Sequence, residues 1–164
     1  MKEFDIIPRV IPSLLLKGKG LYKGKNFKNH RYLGDPINAV KIFNDLRADE
    51  LIFLDINASL EDRLISLEFV RKVGDESNMP FSVGGGIRNM QNIKDIVNAG
   101  AEKVVINSEA VINPEFIKNA SENFGSSTIT ISLDIKKNFF NKKKIYIKSG
   151  TKSVKINPLD FAKK

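Results

Sequence analysis

The sequence predicts an α/β protein with a parallel sheet, and three observations support this fold class. Apolar runs of strand length alternate with amphipathic helical stretches along the first 125 residues. Each apolar run is nearly continuous, as expected for a strand that is buried on both faces. The stretches Ala48–Ser59 and Ala101–Ala110 share a pattern at an offset of 53 residues, which indicates a repeating βα unit. A repeated unit favours a (β/α)₈ barrel over a doubly wound sheet, and the chain covers about the first five units.

The elements follow from these patterns in chain order. Five strands are predicted, at Val10–Leu16, Leu51–Ile56, Phe81–Val83, Val104–Ile106 and Thr128–Ile135. Amphipathic helical stretches are predicted at 36–48, 64–76, 89–100 and 113–125, and a fifth helix at Pro158. Pro36 suits a first helical turn, Asn113 an N-cap, and Gly100 and Gly125 helix ends. Residues 1–164 are expected to form one domain, an incomplete barrel.

The positive charge of the chain is concentrated at its C-terminal end. The net charge is +8, yet residues 136–164 alone hold ten lysines and one acidic residue, Asp160. This stretch alternates like a hairpin, and lysines on an exposed strand are a common protection against edge pairing. The alternative is a basic module that binds nucleic acid or an acidic partner. Phe139, Phe140 and Tyr146 give such a module few surfaces for base stacking, so no nucleic acid partner is expected.

Composition also limits the chemistry. The sequence has no cysteine, which excludes disulfides and thiolate metal sites, and neither a metal nor a cofactor is expected. The first residues are interrupted by Pro8, Arg9 and Pro12 and resemble neither a signal peptide nor a membrane span. A cytoplasmic protein without a membrane partner is therefore expected.

Polar residues at the carboxyl ends of the predicted strands form a candidate site, because these ends share one mouth of a barrel. They are Lys23 in the loop after strand 1, Asp55, Gly84–Gly86, Asn107–Ser108 and Asp134. Asp55 and Asp134 follow apolar residues, where an unpaired charge is costly. Each carboxylate alone is explained by pairing with a lysine or by capping a loop. The whole set favours a site.

The three glycines in FSVGGGIRN suggest a phosphate cradle. Bare amides of Gly84, Gly85 and Gly86 can surround an anion, and a helix that begins near Asn89 adds partial positive charge. The alternative is a flexible surface turn. At the opposite ends of the strands, Arg9, Glu50 and Lys103 are expected to ring the bottom of the barrel, or simply to form solvated salt bridges.

Five segments resemble the HisF family, the cyclase subunits of imidazole glycerol phosphate synthase. They are RVIPSLLLKGKGLYKGKNF, GDPINAVKIFNDLRADELIFLDINAS, PFSVGGGIRN, AEKVVINSEAVINPEFI and FGSSTITISLDIK. The resemblance covers nearly all 164 residues in the family's order. It implies a (β/α)₈ barrel of HisF type that receives ammonia from a glutaminase partner. The ammonia would enter through a charged gate at the bottom and travel to an active site at the top.

The resemblance also implies roles for single residues. Three gate charges are matched by Arg9, Glu50 and Lys103. One of the family's two phosphate sites is matched by Gly86, Asn107 and Ser108, and the other would lie in the half of the barrel beyond this chain. Lys23 matches a loop lysine that closes over the substrate. Asp134 matches one of two catalytic aspartates, a general acid/base.

One position departs from the family. The other catalytic aspartate follows strand 1 in the motif Cys-Leu-Asp-Val, and here Leu15 takes its place. A leucine cannot move protons. The leucine run and the segment RYLGDPINAVKIFN look more like HisF-like paralogues of acetamidino sugar modification in surface-polysaccharide synthesis. The leading interpretation is therefore an ammonia-using synthase subunit for such a sugar, and the alternative is the cyclase of histidine biosynthesis.

Partners and assembly follow from this resemblance. A HisH-like glutaminase and a phosphorylated or nucleotide-linked small molecule are expected. The 164-residue chain alone is expected to lack turnover. Strands 1 and 5 are expected to present open edges, so self-association of half-barrels is also expected.

Overall fold

The computed structural model describes residues 8–25, 27–137 and 141–163. Two sheets, six α-helices and a short 3₁₀ helix at Ser126–Thr128 make up this part of the chain. The strands of the larger sheet are β1 (Ser13–Lys17), β2 (Gly20–Lys25), β3 (Lys28–Gly34), β4 (Leu51–Asp55), β5 (Phe81–Gly84), β6 (Lys103–Ile106) and β7 (Ile129–Ile131). The strands of the smaller sheet are β8 (Asp134–Lys137), β9 (Lys143–Ile147) and β10 (Lys152–Val154). The helices are α1 (Pro36–Asp45), α2 (Leu67–Glu76), α3 (Met90–Asn98), α4 (Ser108–Ile112), α5 (Pro114–Phe124) and α6 (Pro158–Ala162).

The predicted α/β fold with a parallel sheet is confirmed. The larger sheet has the order β3-β2-β1-β4-β5-β6-β7. Within it, the neighbouring strands β1, β4, β5, β6 and β7 pair in parallel. Side-chain caps fix where the helices begin: Asp35 accepts from two amides of α1, Asn89 caps α3 and Asn113 caps α5. Because parallel strands are joined by helices, their carboxyl ends meet on one side of the sheet. The fold thus brings the strand ends that carry the candidate site residues to one side of the sheet.

The predicted loop after strand 1 is instead a β-hairpin. β1 pairs antiparallel with β2, and β2 pairs antiparallel with β3. The edge of β1 at Leu15–Lys17 is therefore covered by the chain itself, and the prediction that strand 1 is open there is wrong. The tight turn is possible because Gly18 adopts a positive φ of 60°. Self-association itself stays a prediction, now resting on β7, which pairs on one side only.

The predicted fifth strand is divided between the two sheets. β7 ends at Ile131 after pairing with β6, and the chain then turns so that β8 begins at Asp134 and pairs antiparallel with β9. The expected lysine-rich hairpin is thus confirmed and extends into a three-stranded sheet, β10-β9-β8. Phe139 and Phe140, the aromatic residues considered for stacking, lie outside the described residues.

Two apolar clusters hold these layers together. The main cluster joins the inner faces of α1, α2, α3 and α5 to the parallel strands, with Phe53, Ile93 and Val104 fully buried. A smaller cluster packs Ile145 and Ile147 of β9 against Val111 of α4. The smaller sheet is therefore fixed to the carboxyl end of the parallel sheet. Within the described ranges, no helix is both long enough and apolar enough to cross a membrane.

Candidate functional site

A pocket of about 710 Å³ opens at the carboxyl ends of the parallel strands. The predicted site residues that line it are Leu15, Asp55, Gly84, Gly85, Gly86, Asn107, Ser108 and Asp134. The hairpin contributes Gly24, Phe27 and His30 to a second wall, and the turn between β9 and β10 contributes Lys148 and Ser149 to a third. Lys23 is not part of the lining: it lies on β2, is exposed and pairs with Arg31 in the ladder. The structure thus assembles every predicted mouth residue except Lys23.

Asp55 is held by an arginine that the sequence analysis missed. Arg63 Nη1 donates to Asp55 Oδ2 at 2.6 Å and Arg63 Nη2 donates to Oδ1 at 3.3 Å. The amides of Asn57 and Ala58 donate to the same Oδ1 at 3.1 and 3.2 Å. The Asp55 carboxylate, which is the strongest influence, raises the pKa of Arg63. Asp55 therefore organises the loop that follows β4, which agrees with the alternative that this carboxylate caps a loop.

Close contacts with β6 and with the end of β4 and the loop after it explain the three glycines. A Cβ at Gly84 would lie 2.6 Å from the carbonyl oxygen of Val105, and one at Gly85 would lie 2.8 Å from Cβ of Asp55. A Cβ at Gly86 would overlap the carbonyl of Arg63. The glycines are thus required by the protein's own backbone, which packs against them. This close packing does not fit the alternative of a flexible surface turn, and the phosphate cradle stays a proposal.

Gly86→Ala is expected to lower the free energy of unfolding by more than about 2 kcal/mol. Gly86 has a φ of +71°, which costs a non-glycine residue roughly 1–3 kcal/mol, and the overlap with Arg63 adds to that cost. Gly18→Ala is the matched control, since Gly18 has a φ of +60° and no atom within 4 Å of its added Cβ. Urea denaturation measures both. Equal losses in the two variants would show that the close packing at Gly86 contributes nothing.

Asn107 and Ser108 connect the parallel sheet to the smaller sheet. Asn107 Nδ2 donates to the carbonyl of Ser132 at 2.9 Å, and the Ser108 hydroxyl donates to Asn107 Oδ1 at 3.2 Å. The amide of Lys148 donates to the Ser108 hydroxyl at 2.9 Å. Both side chains therefore hold the pocket wall in place while they line it. Ser108 also begins α4, a short helix that the sequence analysis did not predict.

Asp134 is the carboxylate best suited to proton transfer. It is half-buried as the first residue of β8, and it forms no ion pair with any described residue. Burial raises the pKa of Asp134 above its ordinary value, while the charge of Lys136 and a hydrogen bond from Asn107 partly oppose the rise. A carboxyl that keeps its proton to higher pH is a better general acid near neutrality. This environment suits the predicted acid/base role.

The three charges at the opposite end of the strands converge on Glu50. Lys103 Nζ donates to Glu50 Oε2 at 2.6 Å, and Arg9 Nη2 donates to the same oxygen at 3.3 Å. The hydroxyl of Ser82, which the sequence analysis missed, donates to Oε1 at 2.5 Å. The Glu50 side chain is only 3% exposed. The expectation of ordinary solvated salt bridges is therefore wrong for this carboxylate.

Other pocket residues were missed because they lie in segments without an apolar pattern. His30 and Phe27 belong to the unpredicted hairpin, and Arg88 and Asp62 form a 2.6 Å ion pair at the rim. The sequence did carry one signal, since FSVGGGIRN already contains Arg88 beside the glycines. Among the residues that the structure describes, no group of three or more histidine and acidic side chains could hold a metal ion.

Comparisons with known proteins agree with this architecture. The profile of a family described as "Histidine biosynthesis protein" matches residues 9–164. A protein of Leptospira interrogans, provisionally named imidazole glycerol phosphate synthase subunit HisF, is 40% identical over 95% of this chain and 62% of its own length. A Pseudomonas aeruginosa protein, provisionally named subunit hisF2, is 41% identical over 94% and 61%. Imidazole glycerol phosphate synthase subunit HisF of Alkaliphilus metalliredigens is 38% identical over 97% and 63%. The chain therefore spans somewhat under two thirds of the length of these relatives.

Proposed function

The chain belongs to the histidine biosynthesis protein family, and we propose that it is a HisF-type synthase subunit. The observation that carries the proposal is the pocket, in which Asp134, the glycine loop and Asn107 meet at the carboxyl ends of parallel strands. Enzymes with parallel barrel strands place their active sites at this end. The substrate is a phosphorylated small molecule, whose anionic group binds at Gly84–Gly86 and Asn107. Asp134 acts on it as a general acid/base.

The names of the relatives favour imidazole glycerol phosphate formation over sugar modification. All three relatives described above carry the name of that synthase. The sugar-modification interpretation, which led the sequence analysis, rested on the leucine run at Leu15 and on the segment RYLGDPINAVKIFN, and the comparisons do not support it. Leu15 does line the pocket, so the loss of a carboxylate at this position affects the site directly. The histidine-pathway cyclase is therefore the function proposed here.

Ammonia delivery is the second part of the proposal. The Glu50 cluster lies at the amino ends of β4, β5 and β6, on the side of the sheet opposite the pocket. In the proposal this end docks a HisH-like glutaminase, and the cluster controls the entry of ammonia. A buried carboxylate with two cations and a hydroxyl has the polarity to bind ammonia in transit.

A full-length version that completes the barrel around this sequence is expected to restore growth of a histidine auxotroph that lacks its HisF subunit. The expected growth needs no change at position 15, because the pocket retains Asp134 and the glycine loop. A parallel strain carries Leu15→Asp. Growth only with Leu15→Asp would show that the scaffold fits but that the natural site catalyses another reaction. Growth with neither form would contradict the proposed function.

A further inference from the structure

The charged and titratable side chains of the pocket divide into two groups. Two carboxylates are already paired, Asp55 with Arg63 and Asp62 with Arg88, each at 2.6 Å. The remaining lining groups form no ion pair with any residue in the described ranges; they are His30, Glu109, Asp134 and Lys148. Reactive groups of a site must come from this second group, since the first is engaged in holding loops.

His30 is the member of this group that the proposed function leaves without a role. It is the only histidine of the chain and lies on β3, on the hairpin wall of the pocket. The ring lies against the bare backbone of Gly24 on β2, where an added Cβ would be 2.8 Å from Cδ2 and 3.1 Å from Nε2 of the imidazole. The absence of a side chain at Gly24 therefore provides the space that the ring occupies.

The imidazole has no structural hydrogen bond to explain its position. Neither ring nitrogen is bonded to another described residue, and the ring is half-buried at the wall of the pocket. Histidines that only support a fold usually satisfy their nitrogens with nearby carbonyls or carboxylates. A ring that is sterically placed but has free nitrogens is available to a ligand.

We propose that His30 is the second proton-transfer group of the pocket, acting from the hairpin wall while Asp134 acts from β8. Imidazole both accepts and donates protons near neutral pH, which leucine at position 15 cannot do. In the step assigned to it, neutral His30 takes one proton from an N–H or O–H of the bound substrate and becomes imidazolium. The electron pair of the broken N–H or O–H bond stays on the substrate atom, water then takes the proton as hydronium, and the ring returns to its neutral form. The identity of the substrate in this inference rests on the proposed function.

Because His30 is the only histidine of the chain, its ring signals can be observed by NMR without overlap from other histidines, and isotope labelling of the protein separates them from the imidazole of the ligand. The first experiment titrates the chain with imidazole glycerol phosphate and, separately, with inorganic phosphate. We expect imidazole glycerol phosphate to shift both the Gly86 amide and the His30 ring, and inorganic phosphate to shift the Gly86 amide alone. Gly24→Val should displace the ring and remove its shift while the Gly86 response stays.

The possible outcomes distinguish the role proposed for His30 from the function proposed for the chain. If imidazole glycerol phosphate shifts the Gly86 amide but not the His30 ring, the role of His30 is overturned while the phosphate site stands. If neither signal responds to either ligand, the proposed function fails and the inference fails with it. An equal ring shift with inorganic phosphate would make His30 an anion ligand, which also overturns its role in proton transfer.

The second experiment measures turnover with an ammonium salt as nitrogen donor, using a full-length version of the protein that contains this chain. His30→Ala is expected to lower turnover about 10²-fold, at the lower end of the usual contribution of acid–base groups. Adding Leu15→Asp to His30→Ala is expected to raise turnover at least about tenfold, because it returns a proton-transfer group to the same pocket. A purely structural role of His30 would give a loss that Leu15→Asp does not repair. That result, or unchanged turnover in His30→Ala, would overturn the inference.

Discussion

Replacing Lys103 with methionine is expected to lower the free energy of unfolding by about 3 kcal/mol. Lys103 Nζ lies 2.6 Å from Oε2 of Glu50, whose side chain is 3% exposed. Methionine preserves the apolar stem of the side chain but leaves this buried carboxylate without its nearest cation. Removing one partner of a buried pair costs about 3–5 kcal/mol. A loss at the low end of this range is expected because Arg9 remains, with its Nη2 atom 3.3 Å from the same oxygen.

Two further variants test whether burial causes this loss. Lys72→Met breaks an exposed pair with Glu68 at a similar distance, 2.7 Å, and is expected to change the stability far less, because water screens this pair. Adding Glu50→Gln to Lys103→Met removes the stranded charge and should recover most of the stability. Urea denaturation gives all three values. A loss in Lys103→Met no larger than in Lys72→Met would contradict the buried-pair explanation.

The pH dependence of this loss has a definite sign. Burial alone would raise the pKa of Glu50, but hydrogen bonds from Lys103 and Ser82 and the charges of Lys103 and Arg9 outweigh it, so the pKa lies below the ordinary 4.5. A carboxyl whose pKa is lower in the folded protein than in the unfolded chain stabilises the fold at pH values above its unfolded pKa. This stabilisation is lost as the pH falls through its folded pKa. The deficit of Lys103→Met is therefore expected to shrink as the pH falls below 4.5, because the natural protein then loses the stability of this pair as Glu50 becomes protonated.

This structural role also affects how the proposed ammonia gate can be tested. A variant of the Glu50 cluster that unfolds would lose coupling to a glutaminase for a trivial reason. Arg9 is the better target, because its side chain is 56% exposed and the Lys103 contact would remain. Glutaminase coupling in an Arg9 variant therefore reports on the gate with the least disturbance of the fold.

The parallel strands and their helices were predictable because their signals are local. Continuous apolar runs give the strands, and capping residues such as Asn113 give the helix starts. The hairpin was missed because its strands contain glycine and lysine in place of alternating apolar residues. It is held by the backbone of β1 and by the edge contact of Tyr22 with Tyr32, whose ring centroids are 5.5 Å apart. Such stabilisation from tertiary contacts cannot be recognised in local periodicity.

The candidate site was also predictable only in part. The glycine loop and Asp134 were located correctly as pocket residues, because strand ends follow from strand positions. The partners of these residues could not be predicted, since Arg63 reaches Gly86 and Asp55 only through the course of the loop after β4. The apolar run Thr128–Ile135 likewise gave no sign of its division, because the break reflects a change of pairing partner from β6 to β9.

The largest functional loss is expected from Asp134→Asn, which should lower turnover by about 10²–10⁴-fold, the usual contribution of a general acid/base. The same variant should be more stable than the natural protein at pH 7. Burial is the main reason that the pKa of Asp134 is raised above 3.8, so the natural carboxylate destabilises the folded state once it ionises. The protonated Asp134 carboxyl makes its full contribution to the stability of the fold below pH 3.8, and this contribution is lost as the pH rises through its folded pKa. Asparagine avoids that loss.

Opposite changes in activity and stability would distinguish a catalytic carboxylate from a structural one. Ammonium-dependent turnover and urea denaturation at pH 7 and pH 3.5 measure the two quantities, and the stability advantage should shrink at the lower pH. Asp75→Asn on the exposed surface of α2 is the matched control and should change neither quantity appreciably. Loss of both turnover and stability in Asp134→Asn would instead mean that Asp134 supports the wall of the pocket. The opposite result, a gain in stability with a loss of turnover, would support the proton-transfer role proposed for Asp134, since functional groups are often retained at a cost in stability.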